Sequence, residues 1–284
     1  MSKQLLTKLR IALVQMKVGA NKAENVANAA RHAEIAVANG ANLVVLPECF
    51  NSPYGNQYFP EYAEPVPGGE TCKSLGEVAK RLKTHLIAGS IAEREEASGK
   101  LYNCLTAYSP SGELKTTHRK VHLFDINVPG KIVFQESKTL SPGNTLLNTY
   151  EEAEPWKIGV GICYDIRFSE MARLHANRGC QLLVYPGAFN MTTGPAHWEL
   201  LCRARALDNQ AYVAVCSPAR STDSDYVAWG HSMVADPWGT VIASAQEKEE
   251  IVYADLDLDR VKEVRQSVPI SVQKRVDLYD TVAK

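Results

Sequence analysis

Three features of this 284-residue sequence predict an α/β fold. Strand-like and helix-like segments alternate along most of the chain. The strand-like runs are short and mostly apolar, as strands sandwiched between helices are. No Gly/Ser/Pro linker, charge block or repeat of 20–50 residues interrupts the series. One α/β domain over 1–284 is the economical reading, with a core at about 9–258 and a C-terminal segment at about 259–284.

Taken in order, LRIALVQM (9–16) reads as the first strand. Asn21 followed by Glu24 resembles a capping box, and Val26, Ala29, Ala33 and Val37 then recur at helical spacing until Gly40. NLVVLP (42–47) is a short buried strand. Leu75, Val78, Ala79 and Leu82 mark a second helix, and HLIAGSI (85–91) is the strand after it. LYNCLTAYS and ELKTTHRKV flank a Pro-Ser-Gly turn at 110–112 and read as a hairpin. WKIGVGI (156–162), a helix over 169–178 and QLLVYP (181–186) repeat the strand–helix–strand unit. A helix over 195–208, the strand AYVAVCS (211–217) and two strands joined by a Pro-Trp-Gly turn at 237–239 complete the series.

Composition narrows the function classes. Lys+Arg 31 against Asp+Glu 32 leaves a net charge of -1, with the signs interspersed. A nucleic-acid partner would need a basic face, so none is expected. No apolar run approaches the ~18 residues of a membrane span, so no membrane partner is expected either. Small molecules and further copies of the chain are the expected partners. Seven scattered cysteines, with no Cys-x-x-Cys pair, point to a reduced intracellular compartment. The first 23 residues carry five Lys/Arg and no acid, as a mitochondrial presequence would. Residues 9–16 already read as a strand, so the cytoplasm is the expected location, with a mitochondrial pool as the alternative.

Three reactive groups share one structural situation. Glu48, Lys120 and Cys163 each stand at or just beyond the C-terminal end of a predicted strand, the edge where open α/β sheets form ligand sites. Singly, each has an ordinary explanation: a packed thiol, a strand-end charge, a solvated lysine. His118 and His122 lie four apart with no third ligand evident, so they read as satisfied or surface histidines rather than a metal site. Asp165 and Arg167 alternate on one side of an extended segment and could pair with each other. Together, Glu48, Lys120 and Cys163 supply what amide hydrolysis by a thiol requires. A carboxylate takes the thiol proton and later passes it to the departing ammonia, while a cation stabilises the tetrahedral oxyanion.

The sequence resembles the nitrilase superfamily of carbon–nitrogen hydrolases. LVVLPECF matches the glutamate motif, HRKVHLFD the lysine motif and GVGICYDIRF the cysteine motif, in the family's order. The resemblance implies a four-layer αββα sandwich, a homodimer, and neither a metal nor an organic cofactor. It also implies roles: Glu48 as general base, Lys120 as oxyanion-stabilising cation, Cys163 as nucleophile and the Tyr164 N–H as a second oxyanion donor. Glu136, in GKIVFQES, aligns with a second glutamate that holds the lysine and orients substrate; outside the family it would read as a loop or edge charge.

PECFNSPYG, GKIVFQESKTLSPG and YPGAFNMTTGPAHWELL look like the omega-amidase branch. Such enzymes hydrolyse the terminal amide of α-keto acid amides, α-ketoglutaramate and α-ketosuccinamate, and of succinamate. A substrate with an amide at one end and a carboxylate at the other needs a cation for its far end. Arg167 is the first candidate clamp, with Tyr54 as a hydrogen-bonding helper and Thr192 and Thr193 behind them. A sibling amidase acting on deaminated glutathione and a non-catalytic scaffold are the competing readings. The helix at 195–208, with Trp198, Leu201 and Ala204, is either a dimer face or ordinary core.

Overall fold

A computed structural model describes residues 7–222 and 225–284. The first sheet begins with β1 (Lys8–Gln15), followed by α1 (Lys22–Ala38), β2 (Leu43–Val45), α2 (Phe59–Tyr62), α3 (Glu70–Leu82), β3 (His85–Arg94), β4 (Leu101–Tyr108) and β5 (Leu114–Arg119). A hairpin of β6 (Asp125–Val128) and β7 (Ile132–Gln135) stands apart. The second sheet uses β8 (Thr149–Tyr150), β9 (Ile158–Val160), β10 (Leu182–Pro186), β11 (Tyr212–Cys216), β12 (Met233–Ala235) and β13 (Val241–Ser244), with α4 (Ser169–Asn177) and α5 (Gly194–Asn209) between strands. Finally β14 (Glu250–Asp257) returns to the first sheet before α6 (Leu258–Ser267) and α7 (Ile270–Gln273).

The strand orders are β14-β1-β2-β3-β4-β5 and β13-β12-β11-β10-β9-β8. In each sheet three parallel strands form the middle, β1/β2/β3 and β9/β10/β11, and the outer strands pair antiparallel. Alternation along β1 shows how the layers arise. Ile11 and Leu13 join Leu43, Val45 and Ile87 in one core with Val160, Val184, Val213 and Val215 of the second sheet. Ala12 and Val14 point the other way and meet Ala29, Ala33 and Ala36 of α1 and Leu75 and Val78 of α3. On the far side, Ala172 of α4 and Trp198, Cys202 and Ala206 of α5 cover the second sheet. Helices, sheet, sheet and helices make the αββα sandwich that the motif resemblance implies.

The expected strands and helices are present, with local differences. Asn21 caps α1 by accepting from the Glu24 N–H at 3.2 Å. The strand expected over 156–162 is shorter, because the chain leaves the sheet after Val160 and tightens into a 3₁₀ turn, Cys163–Arg167. The expected elements omit β14, which pairs with β1 along all eight residues. They also omit the β6–β7 hairpin, whose alternation is half-exposed and weak. Val261 and Val264 of α6 are buried, so this part of the C-terminal segment packs against the body. All seven cysteines are free and buried. No helix among the described residues is long and apolar enough to cross a membrane.

His175, on the inner face of α4, is wholly buried. Burial, reinforced by His118, pushes its pKa down to about 4 from the ordinary 6.5. The neutral ring is therefore the native form, and the unfolded chain takes up the proton first. The contribution is complete above about pH 6.5 and is lost as pH falls toward 4, because the unfolded state binds more protons across that window. Urea midpoints measured from pH 7 to pH 4 should drop by the equivalent of about 2–3 kcal/mol from this group. His175→Leu should flatten that slope, and an unchanged slope in the variant would contradict the assignment.

Candidate active site

Glu48 follows β2, Lys120 follows β5 and Cys163 follows β9, so each leaves its sheet at a strand's C-terminal end. The two sheets face each other, and these ends converge. Lys120 Nζ lies 3.0 Å from Glu48 Oε1 and 3.0 Å from Glu136 Oε2, and all three side chains are fully buried. Glu48 Oε1 also accepts from Asn103 Nδ2 of β4 at 2.8 Å, and its Oε2 from the Ala188 N–H at 2.7 Å. Glu136 sits in a 3₁₀ turn closing the β6–β7 hairpin; Oε2 accepts from the Phe124 N–H at 2.7 Å and Oε1 from Tyr54 Oη at 3.2 Å. The reading of Glu136 as a loop or edge charge is thereby excluded.

Backbone geometry that only small residues permit sets these positions. Gly89 (φ +56°) sits in the bulge of β3, where an added Cβ would lie 2.0 Å from the Pro47 carbonyl oxygen. The close approach braces the turn carrying Glu48, and the Cys49 N–H donates to Ser90 Oγ at 3.1 Å just beyond it. Cys163 itself has φ +47°, a left-handed conformation that costs a β-carbon-bearing residue roughly 1–2 kcal/mol. Opposite it, Gly187 leaves room: a Cβ there would come within 3.1 Å of Cys163 Cα.

Burial raises the Cys163 thiol well above its ordinary pKa and the charge of Glu48 adds to the effect; Lys120 opposes it without prevailing. The resting thiol is therefore protonated, with a carboxylate at hand to receive the proton. Burial disfavours the Lys120 ammonium, but Glu136 and then Glu48 outweigh that penalty and keep its pKa raised. A small cavity of about 30 Å³ adjoins Glu48, lined also by Cys49, Tyr54, Ala188 and Tyr226. A wider cleft of about 350 Å³ lies next to it, sharing Val18, Pro53 and Ser221 and adding Lys17 and Tyr58.

The other candidates fall as follows. Tyr164 is the second residue of the Cys163–Arg167 turn, where backbone N–H groups lack an acceptor within the helix. Arg167 is half-buried, its guanidinium 4.8 Å from the Phe189 ring and 5.3 Å from the Tyr164 ring, with Nη1 3.3 Å from His197 Nδ1. Among the described residues no carboxylate pairs with it, and its buried Nε has no hydrogen-bond partner. The alternative pairing of Arg167 with Asp165 is corrected: Asp165 accepts instead from His118, His122 and the Ile162 N–H. Both histidines are thus satisfied, as expected. Thr192 and Thr193 donate their backbone N–H groups to Asn190 Oδ1 at 2.8 and 3.0 Å and lead into α5. Trp198 is core, with Nε1 on the His231 carbonyl; Leu201 and Ala204 are half-buried.

Sequence reasoning missed Asn103, Tyr226 and the backbone of Ala188. Asn103 was detectable as the single amide in a strand segment, Leu101–Tyr108, all of which is buried. Tyr226 packs its ring 4.6 Å from Tyr54 and donates its hydroxyl to the Ala188 carbonyl at 2.5 Å. No local pattern marks it.

Paired sheets with glutamate, lysine and cysteine at their converging strand ends define a class, and the family comparison agrees. Residues 10–266 match the carbon-nitrogen hydrolase family, and the chain belongs to it. Among curated relatives, omega-amidase NIT2 of Mus musculus is 56% identical over 280 residues, 98% of this chain and 99% of the mouse protein. Omega-amidase NIT2 of Danio rerio is 57% identical over 274 residues, 96% of this chain and 97% of its own length. The crystal structure of Saccharomyces cerevisiae Nit3, a member of branch 10 of the nitrilase superfamily, superposes with a TM-score of 0.87 at 43% identity. It covers 95% of this chain and 97% of the yeast one.

Proposed function

We propose that this chain is an omega-amidase, hydrolysing the terminal amide of α-keto acid amides and of succinamate to a dicarboxylate and ammonia. Identity of 56–57% with omega-amidases over nearly the whole length supports the activity. The observation that carries the mechanism is the Lys120 ammonium set between Glu48 and Glu136, beside a buried thiol.

In this reading Glu48 takes the Cys163 proton as the thiolate attacks the amide carbonyl. The resting thiol is protonated, so attack and proton transfer are coupled, and the nucleophile is unmasked only when substrate is present. The oxyanion lies against Lys120 and the Tyr164 N–H. Glu48 returns the proton to the leaving nitrogen, ammonia departs and a thioester remains. Water then attacks, giving a proton to Glu48; collapse releases the dicarboxylate and the proton returns to the Cys163 thiol. Glu136 and Asn103 hold Lys120 and Glu48 in register. Arg167, whose guanidinium has aromatic faces but no carboxylate against it, takes the substrate's far carboxylate, with Tyr54 beside the reacting end. Thr192 and Thr193 shape the loop that leads into α5.

Homodimerisation belongs to the same proposal. Leu200 and Leu207 of α5 and Trp238 are 65%, 54% and 50% exposed, apolar surface of the kind that a second copy covers. The seven unpaired cysteines favour a reducing compartment such as the cytoplasm.

Ammonia release from succinamate, with glutamine as the control amide, tests the activity. Succinamate should be turned over well and glutamine poorly, since Arg167 is assigned to the far carboxylate and no group is assigned to an α-ammonium. Equal rates on both, or none on succinamate, would reject the reading.

A further inference from the structure

Asp165 is fully buried and both of its oxygens are doubly engaged. Oδ2 accepts from His118 Nε2 at 2.9 Å and the Ile162 N–H at 3.0 Å. Oδ1 accepts from the His122 N–H at 3.0 Å and His122 Nδ1 at 2.7 Å. The donors come from two segments. His118 and His122 flank Lys120, whereas Ile162 immediately precedes Cys163. Each histidine is braced in turn. His118 Nδ1 faces Asn148 Nδ2 at 2.9 Å, and the His122 ring stacks on Phe168 with centroids 3.6 Å apart.

We propose that Asp165 is a positioning residue for the amidase reaction, clamping the lysine segment of one sheet to the cysteine turn of the other. It thereby sets the separation between the Lys120 ammonium and the oxyanion formed at Cys163. The cysteine turn needs such a clamp because Cys163 is held at φ +47°, a conformation the backbone would otherwise relax. An ordinary capping role would require only the bond to Ile162; the other three reach across to the lysine segment. The proposal rests on the catalytic roles assigned above.

Asp165→Asn is the test, because the amide keeps the volume but places an NH₂ group against two donors on one side. The expected result is a kcat at least about 30-fold lower with KM within about threefold, since substrate contacts stay and the transition-state donor shifts. Thermal unfolding of the purified variant reports how much is folded. A kcat within threefold of wild type, or a loss equal to the unfolded fraction, would overturn the proposal. Should Asp165→Asn not fold, His122→Gln removes a single spoke and should lower kcat several-fold at constant KM; no change would overturn it equally. A second readout is independent of turnover: iodoacetamide alkylation of Cys163, followed on its own peptide by mass spectrometry from pH 6 to pH 10. Asp165→Asn should change the pH dependence of that rate, and a superimposable profile counts against the clamp. If wild type leaves succinamate untouched, the substrate assignment fails by itself, while the alkylation profile still judges Asp165.

Discussion

Cys163→Ala is expected to lower succinamate hydrolysis by at least about 10⁴-fold, the scale on which removing a covalent nucleophile falls. Cys202→Ala should leave kcat within about twofold. The two thiols are both buried, but their surroundings differ. Cys163 opens the 3₁₀ turn beyond β9 and faces Glu48, whereas Cys202 lies on the inner face of α5, with Sγ 3.6 Å from the Val213 carbonyl oxygen and its pKa pushed up to about 12. Truncating Cys202 removes one sulfur from the core, with a stability cost of about 1 kcal/mol. Ammonia release per folded molecule is the measurement, with circular dichroism to confirm folding. Parallel loss in both variants would mean that the chemistry does not belong to Cys163.

Lys120→Ala should be damaging in two separable ways. Removing the oxyanion donor should cost about 10²–10³ in kcat. Removing the cation between two buried carboxylates leaves Glu48 and Glu136 without their common partner, and breaking such a pair typically costs about 3–5 kcal/mol. Urea unfolding checks this second effect, and a deficit within about 0.5 kcal/mol of zero, the range of a neutral surface substitution, would argue that Lys120 does not join the two glutamates. Lys120→Met, closer in volume, separates packing from charge and should keep most of the deficit.

The order of elements was legible wherever burial imposed a clear period. Residues 9–16, 43–45 and 182–186 are mostly apolar because helices cover one face of their sheet and the other sheet covers the second. The turn at 237–239 was legible for a chemical reason: Asp236 Oδ1 accepts from the Trp238 and Thr240 N–H groups, and Gly239 supplies φ +81°. β14 was not read as a strand, although Val252, Ala254 and Leu256 are buried at every second position. Its pairing with β1 joins residues about 240 apart, a choice that local propensity cannot express. The β6–β7 hairpin escaped for a related reason. It is a half-exposed flap outside both large sheets, yet it delivers Glu136 to the site.

What the sequence by itself determined is the inventory: an α/β chain with glutamate, lysine and cysteine each at a strand end, in motifs that resemble the nitrilase superfamily. Tertiary structure decided which groups meet. Glu48 and Lys120 are 72 residues apart and meet through the strand order of the first sheet, whereas Ala188, 140 residues from Glu48, follows a strand of the second sheet and reaches it only through the packing of one sheet on the other. It also decided the partners of Asp165. Alternation along residues 159–168 suggested Arg167, but the chain turns into a 3₁₀ helix after Ile162 and the periodicity of two ends there. Asp165 is thereby turned toward the histidines of the first sheet, and Arg167 toward Phe189 and His197. Side-chain type is written locally, whereas contact across two sheets depends on how both are twisted and stacked. That is why the reactive residues could be named from the sequence and their geometry could not.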